Sequence, residues 1–374
     1  MNLLGVHLTM LTGDLEPTPA SPFLVEALRS VEVTHQDEGP SGFQMTFQVG
    51  RSSALDLLDY RLLNDDALQP FSRIVLLVRF AVVPEVLMDG IITRLQLSPG
   101  NEPGSSTLTV TGEDVSVMMD LAEEPREFPA SPDYTTVVQI VGRYTRYGLV
   151  PPPPPISVDA LNPYNPLKEI PNQGPMTDRA FVQELARRYG FVFYVTPGPV
   201  PTSSMTYWGP PPRLSIPQGA LNVNMGPMTN VDSVSFTYDG MRPQKVKYTT
   251  SDDSSQTISS PSASRSIIPM ATNTPEPQRQ VYLDSTDEHV DAEAQGMVDK
   301  SYDDVVTADG ELDAMRYNGI LKPHSLVGLR GAGRTFDGLY YVRSVTHKIS
   351  KGSYTQSFSL AREGTGTTTP FVLP

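Results

Sequence analysis

A mainly β fold with a small α+β insertion is what this chain predicts, and three observations carry the expectation. A β pattern occurs twice, over residues 74–112 and 326–362. In each copy an apolar strand, an Asp-Gly pair, a second apolar strand and a polar Gly-containing turn lead to a strand of strict alternation. Residues 122–215, between the copies, change to helical spacing. Much of the proline, 36 residues in 374, falls in a few stretches that read as extended loops. Period-two alternation marks half-buried strands. Two copies far apart predict two related β-barrels or small sheets in one molecule.

In the first copy Asp89-Gly90 leads into Ile91, Ile92 and Leu95; in the second Asp337-Gly338 leads into Leu339, Tyr341, Val342 and Val345. Each Asp-Gly reads either as a type I′ hairpin turn or as a bulge bending a long strand. The apolar residues flanking Asp89-Gly90 (Leu87, Met88, Ile91, Ile92) favour the bulge. Either way the aspartate is a backbone device, not an acid or base.

From the N-terminus, GVHLTML, VEVTHQD and FQMTFQVG alternate as strands, the last two joined by a turn at residues 38–42. Leu55, Leu58 and Leu62 give residues 53–63 a helical stripe, and Val117, Met118 and Leu121 do the same for 113–121. Two stronger helices follow. One spans Thr135 to Tyr147, ended by Gly148. The other spans Asp178 to Tyr189, with Thr177 as N-cap, Arg187 and Arg188 at the negative end of its dipole, and Gly190 as stop. FVFYV at 191–195 is a strand to which Tyr207-Trp208-Gly209 and Leu214-Ser215-Ile216 are expected to pair. Pro151 to Pro155 reads as a stiff loop. Alternation returns at 218–248. Ser251 to Pro277 lacks large apolar side chains and is expected to be weakly ordered. A helix over 287–306, capped by Asp287 or Ser285, precedes the second copy, and the tail from Gly364 is expected to fray.

A net charge of -14 argues against a nucleic-acid groove. The absence of cysteine excludes disulfides and thiolate chemistry. No apolar run reaches a membrane span, and the N-terminus lacks the basic region of a secretory signal. The five histidines, His7, His35, His289, His324 and His347, show no metal-ligand spacing; His347 is expected to pack or to bond a backbone group. Gly328, Gly331 and Gly333 lie between strands rather than opening a helix, so they form a turn, not a phosphate cradle. The carboxylate pairs Glu123-Glu124, Asp252-Asp253 and Asp303-Asp304 read as solvated surface charge. No catalytic, cofactor-binding or metal residue is nominated. An enzyme would need converging carboxylates. A carbohydrate-binding or adhesin-type β protein would need exposed aromatics, and Trp208 is the only tryptophan.

The ordered set VLMDGIITRLQL, STLTVTGED, MTDRAFVQELARRYGFVFYV, LVGLRGAGRTFDGLYYVRSVTHKIS and YTQSFSLARE resembles the baseplate hub proteins of contractile phage tails, of the late-control D type, and the tube-like N-terminal part of VgrG proteins. Asp178, Phe181, Leu185, Ala186, Arg188, Gly190 and Phe191 match the family's helix-then-strand pattern. The resemblance implies a tail-tube-like β-barrel over 1–121, an α/β insertion over 122–217, a second barrel over 218–363 with an insertion at 251–277, and a flexible tail at 364–374. It further implies a homotrimer, a pseudo-six-fold ring that joins the hexameric inner tube to a separate trimeric spike beside other baseplate components. Its expected setting is a phage tail or injection particle assembled in the cytoplasm, with no cofactor, no enzymatic activity, no nucleic-acid binding and no membrane insertion.

Overall fold

The computed structural model describes residues 2–3, 6–50, 60–80, 83–102, 105–129, 131–155, 159–161, 173–250, 254–262, 269–284 and 289–369. The fold is mainly β. The N-terminal strands are β1 (Asn2–Leu3), β2 (Val6–Gly13), β3 (Thr18–Pro19), β4 (Leu28–Gln36), β5 (Gly42–Gln48), β6 (Arg73–Phe80), β7 (Val83–Ser98) and β8 (Thr107–Asp114). The middle supplies β9 (Leu149–Val150), β10 (Val192–Pro197) and β11 (Ser204–Gly209). Then come β12 (Gln218–Asn222), β13 (Ser233–Tyr238), β14 (Gln244–Thr249), β15 (Ser255–Ile258), β16 (Arg279–Leu283), β17 (Val306–Asp313), β18 (Leu326–Arg330), β19 (Gly338–Ser350) and β20 (Ser353–Arg362). The α-helices are α1 (Pro22–Ala27), α2 (Asp133–Gly142), α3 (Asp178–Arg188), α4 (Val290–Asp303) and α5 (Ala314–Tyr317).

One 14-stranded sheet runs β1-β2-β6-β7-β8-β5-β4-β19-β20-β17-β13, with β3 on β2 and β12-β18 attached to β19. Its first half is built from N-terminal strands and its second half from C-terminal ones; they join edge to edge where β4 pairs antiparallel with β19. Alternation explains the inward faces. Val31 and Val33 of β4, Phe43, Met45 and Phe47 of β5, and Leu108 and Val110 of β8 are buried, while their strand neighbours point outward.

The two copies agree in backbone detail. In the first, β6-β7-β8 form an antiparallel meander; in the second, β18-β19-β20 do. In both, the long middle strand carries one bulged residue facing the last strand. It is Thr93 between the pairs Ile92↔Gly112 and Arg94↔Thr111, and Arg343 between Val342↔Leu360 and Ser344↔Ser359. Ahead of the first strand of each meander a non-glycine residue holds positive φ: Phe71 at 70° and His324 at 57°. The amide of each donates to the residue just before the bulge: Phe71 to the Ile92 carbonyl, His324 to the Val342 carbonyl. Such a strained residue repeated at matched places is the signature of duplicated architecture.

The Asp-Gly pairs prove to be out of step with these bulges by two residues. Gly90 lies within β7, and Gly338 begins β19 at φ 132°. Asp337 closes the preceding turn by accepting from the Ala332 amide at 2.8 Å. Gly331 and Gly333 hold positive φ in that turn, whereas Gly328, expected in the same turn, lies within β18 opposite Leu339.

The middle region packs α2 and α3 on the small sheet β10-β11-β9. Thr177 caps α3 by accepting from the Ala180 amide, and Gly190 ends it at φ 63°. Trp208 is fully buried against Tyr189 and Phe191, its Nε1 donating to the Val182 carbonyl. Leu214 and Ile216 do not pair here: both are exposed and lie outside any strand, because neither side has a cross-strand neighbour to cover it. Residues 115–120 form a 3-10 rather than an α-helix. Its three-residue period buries Ser116 and Met119 and leaves Leu121 in solvent. The expected helix at 53–59 lies outside the described residues; its end, Arg61–Asn64, is 3-10.

The largest departure concerns 244–283. β14 alternates like a strand of the large sheet but pairs instead with β15 and, in parallel, β16. This separate sheet is covered by α4 through Val246, Tyr248, Val290, Ala294, Val298 and Tyr302. The stretch expected to be weakly ordered thus supplies β15, and Met270 is buried against Leu326 and Tyr341. The Glu363 carboxylate accepts from the Met270 and Ala271 amides. The tail is likewise docked as far as Thr369. Asn273 and Thr365 exchange backbone hydrogen bonds, and the Thr368 hydroxyl donates to the Pro269 carbonyl. Residues 251–253, 263–268 and 370–374 lie outside the described residues.

α4 meets the end of α3 through glycine. A Cβ on Gly296 would sit 2.5 Å from the Arg188 carbonyl oxygen and 2.6 Å from the Gly190 nitrogen. Helix propensity alone would make Gly296→Ala stabilising by about 1 kcal/mol. Backbone-on-backbone contact reverses the sign, and a loss of about 1–3 kcal/mol is expected from overpacking. A urea midpoint equal to or above the parent's would refute the close approach.

Candidate assembly interface

The seam between the halves is built from seven facing positions, Ser30–Gln36 against Ser344–Ser350. Thr34 faces Thr346 with their hydroxyl oxygens 3.0 Å apart. Val345 faces His35, and Val33 faces His347. The two imidazoles meet edge to face at 5.8 Å. His35 Nε2 lies 2.8 Å from the Leu87 carbonyl oxygen, which makes it the protonated nitrogen. His347 Nδ1 lies 2.9 Å from the Tyr354 hydroxyl and 3.2 Å from the Gln356 amide nitrogen. Burial pushes the pKa of His35 down to about 4 and that of His347 well below the ordinary range, so both are neutral. Ile349 and Tyr354 reach into the first half's core, so the seam is packed as well as hydrogen-bonded.

The bulge at Arg343 aims its guanidinium across the seam. It reaches Asp304, which terminates α4, at 3.3 Å, and Glu38 and Asp37 beyond β4 at 3.7 and 3.9 Å. Arg242 also binds Asp304, while Arg213 joins Asp303 to Glu363. Burial raises Asp37 to about 7, partly opposed by Arg343. The expectation that Asp303-Asp304 is solvated charge therefore fails: Asp304 is buried and both are ion-paired. Glu123 and Glu124 are exposed, as expected; Asp252-Asp253 lies outside the described residues.

The middle region docks on the first half beside a buried ion pair. Arg73 of β6 donates from Nε and Nη2 to both oxygens of Asp89 on β7, at 2.7 and 2.8 Å. Both side chains are shut from solvent. The Ser204 hydroxyl of β11 approaches the same carboxylate at 3.5 Å, and Gly148 passes beside the guanidinium. Asp89 is thus a charge partner within β7 and not a mere backbone device. No local signal identifies Arg73 as its mate, since the pair forms only once β6 lies on β7.

His324 stacks flat on Tyr194 at 3.6 Å, which ties the second half to the middle region. His7 and His289 are half-buried. Where the three parts converge, a mainly apolar cavity of about 480 Å³ is lined by His35, Leu87, Pro197, Leu321 and His347, with the Lys322–Glu85 ion pair at its side. Among the described residues no group of three His, Asp or Glu side chains is placed to hold a metal ion. None of their helices is long and apolar enough to cross a membrane.

This fold occurs in proteins of known structure. The 43 kDa tail protein of prophage MuSo2 from Shewanella oneidensis superposes with a TM-score of 0.64 at 11% identity, over 96% of this chain and 98% of its own. A tail protein from Neisseria meningitidis MC58 gives 0.65 at 11%, over 96% and 97%. An Escherichia coli component of the type VI secretion system, itself structurally similar to the T4 tail proteins gp27 and gp5, gives 0.53 at 12%, over 93% and 77%. The chain has the fold of phage tail and VgrG-like proteins. No protein-family model matches the sequence, and no curated protein matches it either.

Proposed function

We propose that the chain is a structural baseplate hub of a phage tail or contractile injection particle. Three copies form a ring of six similar β units that joins a six-fold inner tube to a trimeric spike. The observation that carries this reading is the duplication: matched bulges, matched positive-φ residues and matched meanders occur twice in one chain. A duplicated unit is the simplest way for a three-fold object to present a six-fold face. The middle region and the β14–β16 sheet have no such twin among the described residues, so they supply the three-fold features. The tail and type VI secretion proteins that share the fold support the same setting. In this reading the chain is no enzyme, and it works beside tube, spike and other baseplate components. Burial of Trp208 takes the only tryptophan out of any glycan-binding surface that an adhesin reading would use.

Native mass measurement is the direct test, together with co-purification beside tube and spike proteins encoded nearby. The expected result is a particle of three chains. A stable monomer that binds glycans would overturn the hub reading in favour of a carbohydrate-binding protein.

A further inference from the structure

The seam inside the chain predicts the seam between chains. This inference rests on the ring reading above and specifies what holds the ring together. Matching the two meanders at their bulges makes Arg94–Ser98 of β7 the counterpart of Ser344–Lys348 of β19. Matching the strands beyond them makes Ser233–Tyr238 (β13) the counterpart of Ser30–His35 in β4. β4 pairs β5, which pairs β8, just as β13 pairs β17, which pairs β20. In the second half the β19 segment is hydrogen-bonded to β4. Its counterpart in the first half, Arg94–Ser98, pairs only with β8 among the described residues, and β13 pairs only with β17. Each half therefore carries one surface whose partner surface is known, because the chain itself displays the bonded version.

We infer that β13 of one copy pairs antiparallel with Arg94–Ser98 of the next, in the register of the internal seam. Transferring that register sets Arg94 opposite Asp239, Leu95 opposite Tyr238, Gln96 opposite Thr237, Leu97 opposite Phe236, and Ser98 opposite Ser235. The chemistry agrees at every position. Arg94 and Asp239 are exposed and of opposite charge. Gln96 and Thr237 replace the hydroxyl-bonded pair Thr346 and Thr34. Leu95 and Leu97 stand where Val345 and His347 are buried, and Phe236 and Tyr238 stand where Val33 and His35 are buried. At the free edges these four are only partly covered, Tyr238 being 49% exposed. Apolar side chains thus line one face of both open edges, and polar ones line the other. A strand edge left bare in this way is a pairing template, and cross-strand pairs of these types stabilise a sheet.

The absence of cysteine allows a clean test. A Gln96→Cys, Thr237→Cys double variant of the full chain, oxidised and run without reductant, should give covalent trimers. A Gln96→Cys, Ser235→Cys variant, two residues out of register, should give at least ten-fold fewer. As a second measurement that does not depend on the disulfide, Arg94→Asp and Asp239→Arg should each weaken self-association, by roughly five-fold per junction for an exposed ion pair. The two combined should restore it. Native mass is read on the same samples. A three-chain particle that cross-links better in the shifted register, or in neither, overturns this seam and leaves the ring standing. A single-chain mass without cross-links overturns both.

Discussion

Asp89→Ala should cost about 3–5 kcal/mol of unfolding free energy, the usual penalty for stranding one member of a buried ion pair. Arg73 would keep its charge with only 3% of its side chain exposed and no carboxylate to meet it. The damage should reach the middle region, because Ser204 and Gly148 pack on the same pair. Protease accessibility of residues 131–209 should rise along with the drop in urea midpoint. Removing both charges should recover much of the loss, since well-packed apolar replacement of a buried pair is often neutral. Arg73→Met with Asp89→Leu is the variant to measure. A loss below about 1 kcal/mol for Asp89→Ala would mean that water reaches the guanidinium.

Acid should loosen the seam. His35 is held neutral by burial, with its pKa lowered from 6.5 to about 4, and the hydrogen bond to Leu87 opposes the shift only in part. The unfolded chain takes up a proton that the folded chain refuses. Stability from this residue is therefore complete above pH 6.5, falls as the pH drops, and is lost by about pH 4. The gap corresponds to about 3 kcal/mol. His347 and His324 are lowered by burial as well and act in the same direction. Asp37 acts in the opposite direction: raised from 3.8 to about 7, it loses stability as pH climbs through that interval. A His35→Gln variant separates the two. Its urea midpoint should fall less than the parent's between pH 7 and pH 4.5, and an equal fall in both proteins would show that the seam histidine does not carry the acid response.

What the sequence discloses here follows the range of each interaction. α3 is legible because Thr177, the paired arginines and Gly190 act within one or two helical turns of the residues they govern. The duplication is legible because alternation survives in both copies. The assignment of β14 goes astray for the same reason: alternation says that 244–249 is a strand, not which sheet it joins, and its parallel partner β16 lies across a Ser/Thr/Pro stretch. Asp304 looks like surface charge because the arginines that neutralise it are distant in sequence, Arg242 from the turn before β14 and Arg343 from β19. The true repeat marker, the bulged residue that faces the last strand of each meander, leaves no trace at Thr93 or Arg343, whereas the conspicuous Asp-Gly pairs mislead the alignment by two residues. The edges proposed as an interface, Arg94–Ser98 and Ser233–Tyr238, read as ordinary strands, and the bonded seam elsewhere in the chain is what suggests a partner for them.

Arg343 has a geometric consequence for assembly. One supernumerary residue in β19 is pinned by the carboxylates of Asp304, Glu38 and Asp37 where the second half meets the first, and in the proposed ring it would set the pitch between them. Head-to-tail objects close only when that pitch returns to its start; otherwise they climb. In the ring proposed above, excising this single residue is expected to change that pitch and open the circlet into a spiral, so filaments in place of rings under the electron microscope are the signature to look for.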